Sequence, residues 1–333
     1  MSTGLNYFPG CEADLDELVA LAHVVADHGG LYVSHLRDYC EGLLESIDEA
    51  AEIGRRADIP VHVSHLRPCG PFRGRAAEVL ARIDALREQG IDITFDIYTY
   101  LKGCTIMAAF ILPPAAYEGG IDAAIERLNS PSERQRLRLA MPAADWSQAH
   151  IASVASERNK RFEGMPLPDF AASQGKDLFD ACLDLLIEER LRVAVVGWPI
   201  DEHGHRLILR HPQCLIGSDA IPTGGSRHPR ACGTFARYLG RWVRQLGLLP
   251  LEEAVRRITS AAARRFGFND RGVVADGKIA DLAVFDPARI IDRATYEEPR
   301  RLAEGVRHVL VNGQLVLRDG QLTSARPGRA LRA

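Results

Sequence analysis

The chain has 333 residues, with 41 Lys and Arg against 44 Asp and Glu, a formal charge of −3, and 46% hydrophobic residues. That length suits one large domain, or one with a small companion, and the charge balance excludes a general nucleic-acid or anionic-membrane binder. No signal-peptide pattern and no apolar run of bilayer length is present. The seven cysteines are odd in number and scattered, with no CxxC pair, so they read as reduced thiols of a cytoplasmic protein.

Strand and helix patterns alternate from the start. DLDELVALAHVVADHGG opens on acids and stops at glycines, which predicts a capped helix. LYVSHL and IPVHVSHL follow as strands, each leading into a helix (EGLLESIDEAAEIGRRA, then GRAAEVLARIDALREQG). IDITFDIYTY is a third strand and QCLIGSDA a fourth. The region between them, about 101–210, is too long for a plain crossover and reads as an insertion over one rim. It holds helix-like AAIERLNSPSERQRLRLAM and GKDLFDACLDLLIEERL and a strand-like RVAVVGW. TFARYLGRWVRQLG and LEEAVRRITSAAARRFG are helical. From residue 272 to 333 the texture changes to short strands, with NG and DG dipeptides that mark hairpins. This predicts a small β unit beside a catalytic region at 1–271.

Two runs carry chemistry. LYVSHL and IPVHVSHL both end in Ser-His-Leu, at His35 and His65. A buried parallel strand that ends in histidine and feeds a helix is how a (β/α) barrel presents a metal ligand at its active rim. A lone strand-end histidine is more often a hydrogen-bonded rim residue; the repetition reverses those odds. His62 stands at an odd offset from His65, so strict alternation assigns it to the helix layer, as a structural residue.

These stretches resemble the amidohydrolase superfamily, in its N-acyl-D-amino-acid deacylase (D-aminoacylase) branch. The resemblance is carried by MSTGLNYFPG, GGLYVSHLRD, IPVHVSHLR, IGSDAIPTGGSRHPRACGTFARYLG, TSAAARRFGFNDRGVVADGKIADLAVFDP and VLVNGQLVLRDGQLTSARPGRALR. It implies an α/β fold: a (β/α) barrel of the metal-dependent hydrolase type, with strands five to eight present, plus part of a small β-sandwich. It implies zinc as cofactor, held by His35, His65 and Asp219, with Asp219 also the catalytic base. It assigns the carboxylate of an N-acyl amino acid to Tyr98, Cys104 and Arg230. Neutral imidazoles suit zinc, an aspartate beside an activated water can take its proton, and an Arg fork suits a carboxylate. Read without the resemblance, Asp219 could equally be a cap or turn residue, Tyr98 a core aromatic, and Arg230 a solvated surface group. Asp96 and Asp201 could be further rim acids, with no role assigned.

Departures from the branch set the alternative. Its His-x-His pair and metal-bridging Cys have no counterpart here; His203 and His205 fall in the insertion by this reading, and Cys69 lies past its strand. The branch often has Lys where Arg67 stands and Ser where Cys104 stands. The chain starts at what resembles the loop after strand four. The expected activity is zinc-dependent hydrolysis of N-acyl-D-amino acids. The alternative is a catalytically incompetent C-terminal fragment that self-associates or acts only with an N-terminal complement, since open strand edges and an uncovered core face favour association.

Overall fold

The computed structural model describes residues 1–140, 146–221 and 228–331. Among the described residues the strands are β1 (Ser2–Gly4), β2 (Tyr32–His35), β3 (Val61–Val63), β4 (Ile93–Ile97), β5 (Lys102–Ile106), β6 (His150–Ser153), β7 (Ala194–Pro199), β8 (Cys214–Ile216), β9 (Leu282–Phe285), β10 (Val306–Val311), β11 (Gln314–Arg318) and β12 (Gln321–Leu322). The helices are α1 (Leu15–Ala26), α2 (Leu43–Ala57), α3 (Ala76–Glu88), α4 (Met107–Ile111), α5 (Gly120–Asn129), α6 (Pro131–Ala140), α7 (Leu167–Ser173), α8 (Leu178–Glu188), α9 (Glu202–Arg210), α10 (Arg230–Arg237), α11 (Leu251–Ile258) and α12 (Ser260–Arg265).

The main sheet is parallel, in the order β1-β2-β3-β4-β8. It has one strand more than the four expected. Ser2–Gly4 is too short and too small in side chains to show alternation; it is a strand because β2 supplies the pairing, Ser2 against Val33 and Gly4 against His35. One face of the sheet is apolar and fully covered. Tyr32, Val61, Val63, Ile93, Phe95, Ile97, Cys214 and Ile216 pack there against Leu18, Leu43, Ile47, Val79, Ile83 and Trp242 from the helices. Capping follows the sequence where it is legible: Asp14 accepts the Glu17 N–H at the start of α1 at 2.8 Å, as an N-cap acid does.

The opposite face carries Val33, His62, Thr94 and Asp96. His62 therefore lies opposite the helix layer, contrary to the expectation from its offset to His65. The strand ends at Val63, and His65 has φ +36°, so alternation does not extend across the turn that separates them. His62 hydrogen-bonds to Thr94 Oγ1 at 2.7 Å and to Asp96 Oδ2 at 2.9 Å, and its ring meets Phe266 edge-on.

The insertion is a separate three-stranded sheet in the order β5-β7-β6, antiparallel, with α4 to α8 around a second core built on Met107, Leu128, Ile151, Leu167, Leu183 and Val195. It is narrower than the expected 101–210. Ile208 and Leu209 of α9 belong to the main core, so His203 and His205 sit in the layer that covers the main sheet. The C-terminal unit is an antiparallel sheet in the order β12-β11-β10-β9. Its NG and DG hairpins form as read: Asn312 and Gly313 have φ +47° and +77°, Asp319 and Gly320 +50° and +78°, the paired positive angles of a type I′ turn. The cysteine reading changes in one place. Cys40 and Cys69 form a disulfide across the two histidine-bearing loops, while Cys11, Cys104, Cys182, Cys214 and Cys232 are free. Their 29-residue separation carries no local spacing signal; the fold brings them together.

His205 is 1% exposed, with its ring 5.2 Å from that of Trp242 and neither ring nitrogen hydrogen-bonded. Burial pushes its pKa down to about 3. An unfolded histidine takes its proton near 6.5, so below that pH the unfolded state binds the extra proton and stability falls as pH drops towards 3. His205→Leu should flatten this acid limb by about 1.4 kcal/mol per pH unit. Urea-unfolding free energies at about pH 7 and about pH 5 check it; an unchanged slope would show that His205 carries no such linkage.

Candidate active site

The C-terminal ends of β2, β3 and β4 open on a cleft of about 650 Å³. His35, His65, Tyr98, Cys104 and Asp219 line it, together with Tyr7, Arg67, Phe110 and Trp198. Of the six residues given site roles from the sequence, Arg230 alone is not part of the lining. It is 1% exposed and sits immediately behind, its guanidinium carbon 4.5 Å above the Tyr98 ring.

The two histidines converge. His35 Nδ1 lies 2.9 Å from His65 Nε2, one donating and the other accepting. The main chain makes this meeting possible. After Val63, Ser64 N–H donates to the Ser34 carbonyl, His65 N–H to the Asp96 carboxylate and Leu66 N–H to the Asp96 carbonyl. These bonds turn His65 into the left-handed region and aim its ring at β2. Tyr39 braces both strand ends: its hydroxyl accepts from Leu36 N–H and donates to the Ser64 carbonyl, each at 2.9 Å. Its ring packs on both imidazoles, at 4.9 Å and 5.2 Å. The Cys40–Cys69 disulfide joins the same two loops just beyond. Burial, with the neighbouring His65, pushes His35 down to about 2, so its ring is neutral and able to donate a lone pair.

Asp219 follows β8 in a left-handed conformation, φ +46°. Trp198 on the opposite wall has φ +55°. With His65, three cleft residues thus hold a backbone angle that non-glycine residues avoid, a pattern that clusters at functional sites. Asp219 faces Arg230, with Oδ2 2.7 Å from Nη1. Burial raises its carboxyl above the usual value, and the charges of Arg230 and His65 oppose that rise. Arg230 Nη2 also reaches the Cys104 carbonyl at 3.4 Å, while its Nε and Nη1 make no hydrogen bond of good geometry. Burial pushes the Cys104 thiol up to about 11, so the thiol faces the cleft uncharged. His228 fixes the start of α10: its Nδ1 accepts the Arg230 N–H at 3.0 Å, and its Nε2 donates to the Lys102 carbonyl at 2.8 Å.

The structure thus gathers His35, His65, Tyr98, Cys104, Asp219 and Arg230 at one rim. It does not gather the three expected metal donors into one set. Two imidazoles fit zinc in donor type and direction, but Asp219 is turned to Arg230. Among the described residues no group of three His, Cys, Asp or Glu is placed to hold a metal ion. The PTGGSR stretch between Asp219 and His228 lies outside the described residues.

Several cleft residues were not assigned from the sequence. Asp96 holds the His65 turn; burial pushes its carboxyl up, and the His62 hydrogen bond with the charges of His62 and His65 outweighs this and leaves it below the ordinary value. Arg67 donates to the Trp198 carbonyl at 2.9 Å. It lies flat on Gly103, where a Cβ would come within 2.8 Å of the guanidinium. Phe110 and Trp198 stack at 4.2 Å to form an aromatic wall. A signal existed for Arg67, two residues beyond His65. None existed for Tyr39 or the aromatic wall, whose roles depend on partners distant in sequence.

A profile of the amidohydrolase family matches residues 115–317. Two enzymes of Alcaligenes xylosoxydans xylosoxydans are similar over 99% of this chain: an N-acyl-D-glutamate deacylase, 36% identical, and a D-aminoacylase, 33% identical. The chain spans 60% of the length of each. Among solved structures, an N-acyl-D-glutamate deacylase from Bordetella bronchiseptica, complexed with zinc and a phosphonate mimic of the tetrahedral intermediate, superposes with a TM-score of 0.82 at 36% identity. That match covers 100% of this chain and 62% of the other. A D-aminoacylase superposes at 0.79 and 31% identity, with 97% and 60% covered.

Tyr39→Phe removes one hydroxyl and leaves the Leu36 N–H and the Ser64 carbonyl without that partner. It should cost about 1–3 kcal/mol in unfolding free energy and loosen the imidazole pair. Urea denaturation, with ring ¹⁵N shifts of His35 and His65, checks both effects. Native stability together with unchanged shifts would mean that Tyr39 does not brace the pair.

Proposed function

The chain belongs to the amidohydrolase family, and we propose that its rim cleft is the histidine and carboxylate-anchoring side of a zinc-dependent N-acyl-D-amino-acid deacylase centre. One observation carries the reading. At one cleft the convergent His35–His65 pair faces Asp219, which is paired with a buried arginine lodged on Tyr98 immediately behind the lining. Neutral nitrogen donors and an anion anchor are what hydrolysis of an N-acyl amino acid needs side by side. The deacylase names of the similar proteins, and the zinc in one solved structure, support the same class.

His35 and His65 are the metal ligands that the chain contributes. Bound zinc supplies, in hydrolysis of this kind, polarisation of the acyl carbonyl and acidification of a water. Arg230 receives the substrate α-carboxylate, with the Tyr98 ring fixing the plane of the guanidinium. Arg67 places a second guanidinium on the same wall. Asp219 takes a proton from the attacking water at its carboxylate and passes it to the leaving amine nitrogen, its raised pKa suiting that exchange. Cys104, as a neutral thiol, adds a weak donor.

The two-donor set favours a second reading. The chain contributes one side of the centre and turns substrate over only with a polypeptide that completes the donors. Both readings require the same carboxylate anchor.

The test is binding and release. The zinc-supplemented chain, alone and with the N-terminal region of a deacylase relative, is assayed for free amino acid from N-acetyl-D-glutamate and its L enantiomer. Ligand binding is measured by calorimetry. Turnover or binding should favour the D form. Arg230→Ala should weaken binding by about 100-fold or more, because a buried charge-assisted contact is lost. Equal handling of both enantiomers, or an affinity indifferent to Arg230, would overturn the proposal.

A further inference from the structure

A second hollow of about 550 Å³ adjoins the cleft. The two share Asn6, Asp38 and Ala109 as lining, so they adjoin at these three residues. The hollow runs between the loop after β1, the loop after β2, and the α4 edge of the insertion. Its apolar lining is Leu5, Phe8, Ala109, Leu112, Pro114 and Tyr117, with Phe8 stacked on Tyr117 at 5.4 Å and 7°.

The polar groups on its wall have other commitments. Arg37 is held by both oxygens of Glu49 and by the Cys11 and Ala13 carbonyls. The Asp38 carboxylate accepts from Cys40 and Gly42 N–H. Ser46 Oγ donates to the Gly42 carbonyl and accepts the Asp38 N–H. The Cys11 thiol donates to Glu12 Oε1 at 3.6 Å, burial holds the Tyr117 hydroxyl protonated by pushing it up to about 12, and Glu45 is a carboxylate that disfavours an anionic ligand end. The hollow therefore offers apolar surface, and its volume is within the range of small-ligand pockets, about 300–1,000 Å³.

Strand order supplies the direction. Tyr98 and Asp219 stand at the β4 and β8 end of the sheet, with Arg230 behind them. His35 and His65 stand in the middle, on β2 and after β3. The hollow lies beyond, on the β1 and β2 side. An N-acyl amino acid has its groups in the same order: carboxylate, amide, acyl chain. With the carboxylate on Arg230 and the amide at the imidazoles, the acyl group points into the hollow.

We propose that this hollow is an acyl-binding groove, built for straight-chain acyl groups longer than acetyl. The inference rests on the carboxylate-anchor reading above. It assigns acyl-length selectivity to α4 and the loop after β1, through Ala109, Leu112, Phe8 and Tyr117.

The experiment is calorimetric titration of the full chain with N-acetyl-, N-butanoyl-, N-hexanoyl- and N-octanoyl-D-glutamate. Affinity should rise about fourfold per buried methylene. Ala109→Trp fills the groove and should reduce the octanoyl-to-acetyl ratio to within about twofold. Where that variant does not fold by circular dichroism, Tyr117→Ala, which strips one wall, should lower octanoyl affinity alone. A flat chain-length series, or an Ala109→Trp protein that keeps the octanoyl preference, overturns the groove. Arg230→Ala separates the two readings. If it weakens every member of a flat series, the anchor holds and the groove fails. If the parent binds none of the four ligands, or Arg230→Ala leaves them all unchanged, the anchor reading itself fails and the groove goes with it.

Discussion

The partly buried carboxylate of Asp96 is the constraint on which the rim depends. One oxygen accepts from the backbone N–H of His65 and the other bonds to the ring of His62. The Asp96 carbonyl takes the next N–H, from Leu66. On its far side lies Gly217 of β8's exit, where a Cβ would come within 2.7 Å of Oδ1, so this position accepts only glycine without displacing the acid. A single acid thus ties the ends of β3 and β4 together and packs against the exit of β8. A buried carboxylate is costly unless its lone pairs are filled; here ring and backbone donors fill them. The turn that it holds rotates His65 out of strand alternation and onto His35.

Around that anchor the cleft is zoned by charge. Burial keeps His35 neutral, which leaves its nitrogen free to donate a lone pair. The cationic groups lie on the opposite wall, Arg230 on Tyr98 and Arg67 on Gly103. Asp219 stands between the zones, paired to one side and within electrostatic reach of the other. A low-dielectric cleft strengthens each of these interactions. The zoning therefore orients a ligand with an anionic end and a neutral amide.

The insertion closes the arrangement from above. It has its own sheet and core, yet its two connections are fixed to the layer of the main sheet. Lys102 N–H donates to the Tyr296 hydroxyl, Ile200 N–H to the Leu101 carbonyl, and the Lys102 carbonyl accepts from His228. Trp242 and Arg237 both donate to the Thr99 carbonyl, which locks the segment carrying Tyr98. The aromatic wall of Phe110 and Trp198 is thereby held at a set distance from the histidines.

Much was legible in the sequence because it is local. Apolar period, helix-stop glycines, NG and DG turns, and the repeated Ser-His-Leu ending are each written within a few residues, and backbone sterics and burial convert them directly into elements. His35 and His65 were found this way, and both stand at the rim. Tyr98, Cys104, Asp219 and Arg230 came from resemblance; the first three line the cleft and Arg230 lies immediately behind it. What only the tertiary structure decided involves partners far apart in the chain. Ser2–Gly4 is a strand because β2 pairs with it. His62 faces away from the helix layer because the strand stops before His65. Asp219 turns to Arg230 rather than to the imidazoles, and Cys40 meets Cys69. Each of these follows from a contact between segments that local pattern leaves independent. Its energy comes from burial and hydrogen bonding across the assembled rim, which no window along the chain contains.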